Sequence, residues 1–225
     1  MISVMQPYFV PYGGYFQLTA HADHFVIFDC VQFPRRGWVH RNQLPRADGE
    51  LDWFTVPLHK PPYTARIDEL RLAPDAADRL MAQAARFPSL RDGVKRGDAL
   101  ALAVVNPATD CFVDYTENLI RLICARLGFS PRISRSSALS IPEDRHAQDR
   151  ILDIVHRLGG TEYLNASGGR ALYDPAAFRK AGIDLYFLQP YAGPVCSMLH
   201  RLLTEPAADI AHEIAAPPPL KAAAA

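Results

Sequence analysis

Asp29 and His40 are the residues of this sequence best placed to move a proton. Asp29 follows an apolar run, Phe25-Val26-Ile27-Phe28, whose composition predicts a strand. A carboxylate at the carboxyl edge of a strand can orient a hydroxyl, accept its proton or hold a cation; it can equally serve an Asx turn or cap. Just beyond it, Gln32, Arg35, Arg36, His40, Arg41 and Asn42 fall in one basic stretch. Guanidinium and amide groups in a loop can bind carboxylate or phosphate through charge-assisted hydrogen bonds, although surface arginines are commonly solvated. Asp29 and His40 are therefore the general-base candidates, with Gln32, Arg36, Arg41 and Asn42 as ligand donors. Cys30 adjoins Asp29, but a neighbouring carboxylate opposes the thiolate that a nucleophile needs, which favours an inert thiol.

A second group of candidates surrounds a glycine turn. Gln6 ends the apolar run of residues 2–5, and Tyr12-Gly13-Gly14-Tyr15 follows it, ahead of a short amphipathic segment. Free amides at a helix N-terminus favour an anion, and glycines permit close backbone approach. The turn occupies the relative position of the His-x-Gly-His signature of nucleotidylyltransferases. Tyrosine, with a reference pKa of about 10, offers only a neutral hydrogen bond where histidine could carry charge. Packing of these rings against a sheet is the competing reading. Farther along, Ser136 lies in a hydroxyl-rich stretch, and Asn165-Ala166-Ser167-Gly168-Gly169 forms a strand-to-helix turn. The latter is neither G-x-G-x-x-G nor a Walker sequence, so Asn165, Gly168 and Gly169 are ligand candidates without a dinucleotide claim.

The elements that must position these groups alternate between strand and helix patterns. Strands are predicted at residues 2–5, 25–28, 53–58, 66–72, 161–164 and 183–188, residues 131–139 as a short strand running into a hydroxyl-rich loop, and residues 35–42 as a loop. Helices are predicted from residue 74 towards 87, over 115–127 with Gly128 as a left-handed cap, over 146–158, from Pro175 to 180, and at 197–203 and 207–214. Residues 91–98 are polar, with two glycines, and are expected to be mobile. The alternation predicts an α/β fold, a mostly parallel sheet with helices on both faces, remotely similar to HIGH-type nucleotide-binding folds. Residues 1–215 are expected to form one α/β domain with a helical insertion near 74–128, followed by a disordered Pro/Ala tail at 216–225.

A family resemblance rests on these same segments. Met5-Gln6-Pro7-Tyr8-Phe9-Val10-Pro11-Tyr12-Gly13-Gly14-Tyr15-Phe16, the run at 25–33, Arg36-Gly37-Trp38-Val39-His40-Arg41-Asn42, Asp149-Arg150-Ile151-Leu152-Asp153-Ile154, and the motifs at 164–169 and 172–174 resemble the WbqC-like family over roughly residues 1–190. The resemblance implies sugar or small-metabolite tailoring in surface-polysaccharide or secondary-metabolite assembly. It departs at Cys30, where the family pattern usually carries an acidic residue, which weakens any metal role for Asp29.

Composition narrows the partners. Lys+Arg and Asp+Glu balance at 24 each, which gives no bulk reason to expect nucleic acid or an anionic membrane. Apolar runs fall short of a membrane span, so a cytoplasmic protein is expected. The four cysteines and eight histidines show no zinc or redox spacing, and no metal site is expected. The sequence leaves the identity of any cofactor open. Taken together, these features and the resemblance predict a group-transferring enzyme acting on a small anionic metabolite, either a nucleotide-linked amino sugar or an activated acyl or aminoacyl donor. The alternatives are a noncatalytic sugar-nucleotide binding or scaffold protein and a nucleotidylyltransferase-like enzyme with a degenerate signature.

Overall fold

A computed structural model describes residues 1–216 and 218–222. The chain opens with β1 (Ile2–Met5), α1 (Gly13–His21) and β2 (His24–Ile27), and β2 pairs parallel to β1 from Ile2 opposite His24 to Met5 opposite Ile27. A separate antiparallel hairpin, β3 (Arg41–Pro45) and β4 (Leu51–Thr55), follows. Four helices come next: α2 (Ala76–Ala84), α3 (Pro88–Lys95), α4 (Ala99–Val105) and α5 (Phe112–Leu127). The chain then returns to the main sheet with β5 (Arg132–Arg135), which pairs parallel to β2. After α6 (Ala147–Arg157), β6 (Glu162–Asn165) joins the opposite side of β1. The last elements are α7 (Pro175–Lys180), β7 (Asp184–Phe187), α8 (Met198–Thr204), α9 (Ala207–Ala215) and β8 (Leu220–Lys221).

The strand order is β5-β2-β1-β6-β7-β8, all parallel except β8. Alternation along each strand divides the core between two faces. Phe25, Ile27 and Leu164 pack with α1, α5 and α9, whereas Val4, Val26, Tyr163 and Leu185 pack against Ile151, Ile154 and Val155 of α6 and Phe178 of α7. Helices on both faces explain why β2 reads Phe-Val-Ile without a polar break. This is an α/β fold with a mostly parallel sheet. The order also creates a topological switch: from β1 the chain moves outward to β2 and β5, then crosses back to β6. Crevices at such switch points, outside the carboxyl ends of the strands, are the usual ligand positions of open α/β sheets.

Three sequence expectations are corrected locally. Residues 66–72 do not form a strand: Ile67–Glu69 is a 3₁₀ turn in which the Glu69 carboxylate accepts the Arg66 amide. The stretch 91–98 is largely helical in α3, since Leu90 and Gly93 bury against neighbouring helices and Asp98 caps α4 through the amides of Leu100 and Ala101. Arg41 and Asn42 belong to β3 rather than to a loop. Within the segment expected as a disordered tail, Leu220 and Lys221 pair antiparallel with Phe187 and Tyr186; residues 217 and 223–225 lie outside the described residues. No helix among the described residues is long and apolar enough to cross a membrane.

Candidate active-site cleft at the switch point

The loop between β1 and α1 is held in a strained conformation over the switch point. Val10, a β-branched residue, has φ +38°, a backbone state that costs of order 1–3 kcal/mol and persists only where the surroundings impose it. Here they do. The Asn42 amide donates to the carbonyls of Phe9 (3.1 Å) and Val10 (2.8 Å), and the Ser197 hydroxyl donates to Val10 (2.5 Å). The Phe9 amide donates to the Val39 carbonyl (3.0 Å), and Met198 to Pro11 (2.8 Å). The hairpin and the start of α8 thus fix where Tyr8 and Tyr12 stand.

Those tyrosines, with Ser167, divide a cleft into two joined compartments. The inner one, about 420 Å³, lies between the ends of β1 and β6 and is lined by Gln6, Gly14, Asn165 and Gly168 among others. The outer one, about 580 Å³, is lined by Trp38, Gln43, Pro190 and Tyr191. No charged side chain lines either compartment among the described residues. Burial raises the hydroxyl pKa of Tyr8 and of Tyr12, and each phenol's nearness to the other adds to the effect at Tyr8. Both are neutral donors at physiological pH. Gln6 and Gln43 have no side-chain hydrogen-bond partner among the described residues, and α1 begins at Tyr12 with neither a side-chain cap nor an acidic residue in its first turn. Of the first-turn amides, that of Tyr15 is spent on the Tyr12 carbonyl (3.1 Å) and Tyr12 is bridged to Ser197; the start of α1 and the neutral donors beside it can still hold and orient an anionic group. Among the described residues, nothing lining the cleft accepts a proton readily at neutral pH.

The candidates named from the sequence are distributed over this cleft and two other places. Gln6, Tyr12, Gly14, Tyr15, Asn165, Gly168 and Gly169 converge on the inner compartment. Tyr15 is buried and donates its hydroxyl to the Gln6 carbonyl (3.0 Å), so it braces the strand end. Three glycines make room for side chains: a Cβ on Gly13 would collide with Tyr191, on Gly14 with the Tyr12 ring, and on Gly169 with the Asn165 amide. Asn42 borders the outer compartment, but its amide is committed to the loop. Arg41 stacks over Trp53 (4.1 Å to the ring centroid) and donates to the carbonyls of Arg36 and Gly37, placing it in the hairpin's scaffolding. Arg36 is solvent-exposed and lines neither compartment.

Asp29, Gln32 and Ser136 lie at the ends of β2 and β5. The Asp29 carboxylate, 1% exposed, accepts from the Ser136 hydroxyl (2.8 Å), the Ser137 amide (2.8 Å) and the Ser137 hydroxyl (2.6 Å). That arrangement ties two strand ends together. Gln32 donates to the Tyr63 carbonyl (3.2 Å), and Gln32 and Ser136 line a separate cavity of about 630 Å³ with Cys30 and Arg150. His40 lies with Arg35 in a third cavity of about 540 Å³, its ring edge-on to Phe33 at 5.1 Å. Burial, and then the charge of Arg41, lower its pKa to about 4. At neutral pH His40 is an uncharged imidazole, and it lines neither compartment of the cleft. The two general-base candidates therefore stand in neither cleft compartment.

Tyr8, grouped with Tyr12 and Tyr15 by the sequence, completes the cleft together with Trp38, Gln43, Ser167 and Tyr191, which were not among the sequence candidates. Trp38 and Ser167 sit inside the quoted motifs and could have been taken with them. Gln43 and Tyr191 carry no local signal, because each reaches the cleft only through the packing of a distant element.

Comparison with known proteins places this geometry in context. The WbqC-like protein family matches residues 6–196, the span from Gln6 on the cleft floor to the segment entering α8. The chain is 26% identical over 193 residues to the uncharacterized protein Rv1507c of Mycobacterium tuberculosis, covering 81% of this chain and 79% of that protein. No solved structure gives a significant match. With most of its length matched, including both walls of the cleft, the chain belongs to the WbqC-like protein family.

Proposed function

We propose that this protein binds a small anionic metabolite in the switch-point cleft, a nucleotide-linked amino sugar or an activated acyl or aminoacyl donor, and transfers a group from it during surface-polysaccharide or secondary-metabolite assembly. The uncapped N-terminus of α1 carries the proposal, because it opens between β1 and β6 where the chain reverses direction across the sheet. An anionic group placed there meets backbone amides, with the neutral hydroxyls of Tyr8 and Tyr12 beside it. Those phenols donate hydrogen bonds to developing negative charge, and the acceptor nucleophile then relies on its own acidity or on the leaving group for proton transfer.

One observation favours a second reading, a noncatalytic sugar-nucleotide binding protein: the cleft compartments contain no carboxylate or imidazole among the described residues. The degenerate nucleotidylyltransferase reading gains least, because Tyr15, at the last position of the signature, spends its hydroxyl on the Gln6 carbonyl.

Calorimetric titration of sugar nucleotides, acyl-CoAs and aminoacyl-adenylate analogues tests the site. At least one class should bind the parent protein. Ser167→Asp, which adds a negative charge where the two compartments meet, should abolish that binding while Ser167→Ala changes it by no more than a few fold. Equal binding by parent and Ser167→Asp rejects the location. Binding without turnover across acceptors supports the binding-protein reading.

A further inference from the structure

We propose that the outer compartment is a base subsite, holding the heteroaromatic ring of a nucleotide whose anionic groups extend into the inner compartment towards α1. The inference deepens the donor reading above and rests on it. Four aromatic side chains, Tyr8, Tyr12, Trp38 and Tyr191, border a volume of about 580 Å³ that no charged group among the described residues lines. Trp38 is 43% exposed, an unusual condition for an indole, yet its position is fixed: it packs on Trp53 with centroids 5.1 Å apart, and Arg41 covers Trp53. On the far side Tyr191 is locked by its hydroxyl, which donates to Glu213 and accepts from Arg201 (2.8 Å). Such rings present flat apolar faces in place before a ligand arrives, which avoids the cost of ordering them on binding.

The polar inventory separates a base from a sugar ring. A pyranose carries hydroxyls around its whole rim, and each one buried needs a partner. The outer compartment has few to give. Asn42 is spent on the loop carbonyls and the Tyr191 hydroxyl on Glu213 and Arg201, leaving the Gln43 amide, the Ser167 hydroxyl and the phenols of Tyr8 and Tyr12. A base has two apolar faces and one hydrogen-bonding edge, and a single free amide can satisfy that edge with a paired donor and acceptor. Pro11, Pro190 and Val195 supply further apolar wall. Ser167, Tyr8 and Tyr12 border both compartments, so a ribose and its phosphates would pass directly from the outer compartment to the inner one.

The test uses the full chain and its two tryptophans, Trp38 and Trp53, as fluorescent reporters. Uridine, adenosine and guanosine diphosphates are titrated alongside inorganic pyrophosphate, hexose 1-phosphates and phosphopantetheine. At least one nucleoside diphosphate should bind more tightly than pyrophosphate and quench the fluorescence. Trp38→Ala should then weaken it about 5- to 150-fold, the range of one lost base-stacking contact. Gln43→Ala should weaken it and blur the preference among bases, and Trp38→Phe should keep the affinity within a few fold; melting curves identify any variant that fails to fold.

Nucleoside diphosphates that bind no better than pyrophosphate, or that bind Trp38→Ala and Gln43→Ala as well as the parent, overturn the base subsite. If hexose 1-phosphates or phosphopantetheine bind in that case, the donor reading survives without it. If none of these molecules, nor any intact donor, binds, both readings fall.

Discussion

The hydroxyl of Tyr191 fills the space where a side chain at Gly13 would begin: a Cβ on residue 13 would stand 2.1 Å from it. Gly193 opens the opposite side, where a Cβ would approach the same hydroxyl to 2.4 Å and a Glu213 oxygen to 2.2 Å. Gly13→Ala should therefore destabilise the fold by about 1–3 kcal/mol, because the clash outweighs the roughly 1 kcal/mol that alanine gains in a helix. Gly168→Ala, with nothing within 4 Å of its Cβ, should stay within about 0.5 kcal/mol of the parent. Urea denaturation measures both. In Gly13→Ala/Tyr191→Ala the combined loss should fall short of the sum of the single losses, and strict additivity would show that the two residues do not meet.

Asp29 makes a structural prediction that differs in kind from a catalytic one. Three donors converge on its carboxylate, so Asp29→Asn should cost about 1–3 kcal/mol of stability through lost charge-assisted bonds and a misplaced amide N–H. Removal of a general base would instead leave stability intact and abolish turnover. Chemical denaturation of the variant decides between them.

His40 makes stability depend on pH. Its pKa falls from 6.5 to about 4 on folding, so between those values the unfolded chain binds the extra proton and stability declines as pH is lowered. The contribution is complete above about pH 6.5 and lost by about pH 4. Because the ring is partly exposed, the difference should be on the order of 1–2 kcal/mol after screening. Denaturation of the parent and His40→Gln at pH 7, 5.5 and 4.5 should show a shallower decline in the variant. Parallel curves would remove His40 as the source.

Arg201 is the buried cation of the cluster behind Tyr191. At 3% exposure it pairs with Glu205 (2.6 Å) and Glu213 (2.8 Å), and it is the main cause of the lowered pKa of Glu213. Arg201→Leu strands both carboxylates and should destabilise the protein by roughly 3 kcal/mol, less than a fully buried pair would because the glutamates can rehydrate. Arg201→Leu/Glu213→Leu should recover part of the loss, as read by thermal unfolding.

The alternation of apolar runs and helical stripes sufficed to determine the α/β class and the parallel strands at residues 2–5, 25–28, 161–164 and 183–188, since a strand covered on both faces must be apolar throughout and a helix on such a sheet must be apolar along one stripe. The placement of Gln6, Tyr12 and the turn at 165–169 beside the strand ends was legible for a related reason: the end of a parallel strand is local in sequence, and its carboxyl edge follows from topology. The roles within the cleft were not legible. Whether Asp29 accepts a substrate proton or a serine hydroxyl depends on β5 arriving beside β2, with Ser136 and Ser137 more than a hundred residues away. Whether Asn42 contacts a ligand or a carbonyl depends on how the hairpin meets the Val10 loop. A glycine pair suggests a phosphate turn in sequence, but only tertiary packing shows that Gly13 accommodates Tyr191. Sequence specifies a donor's chemistry and its place along an element; which partner consumes that donor is decided when distant elements meet, as when Ser136 and Ser137 reach the Asp29 carboxylate and Tyr191 reaches the wall of the cleft.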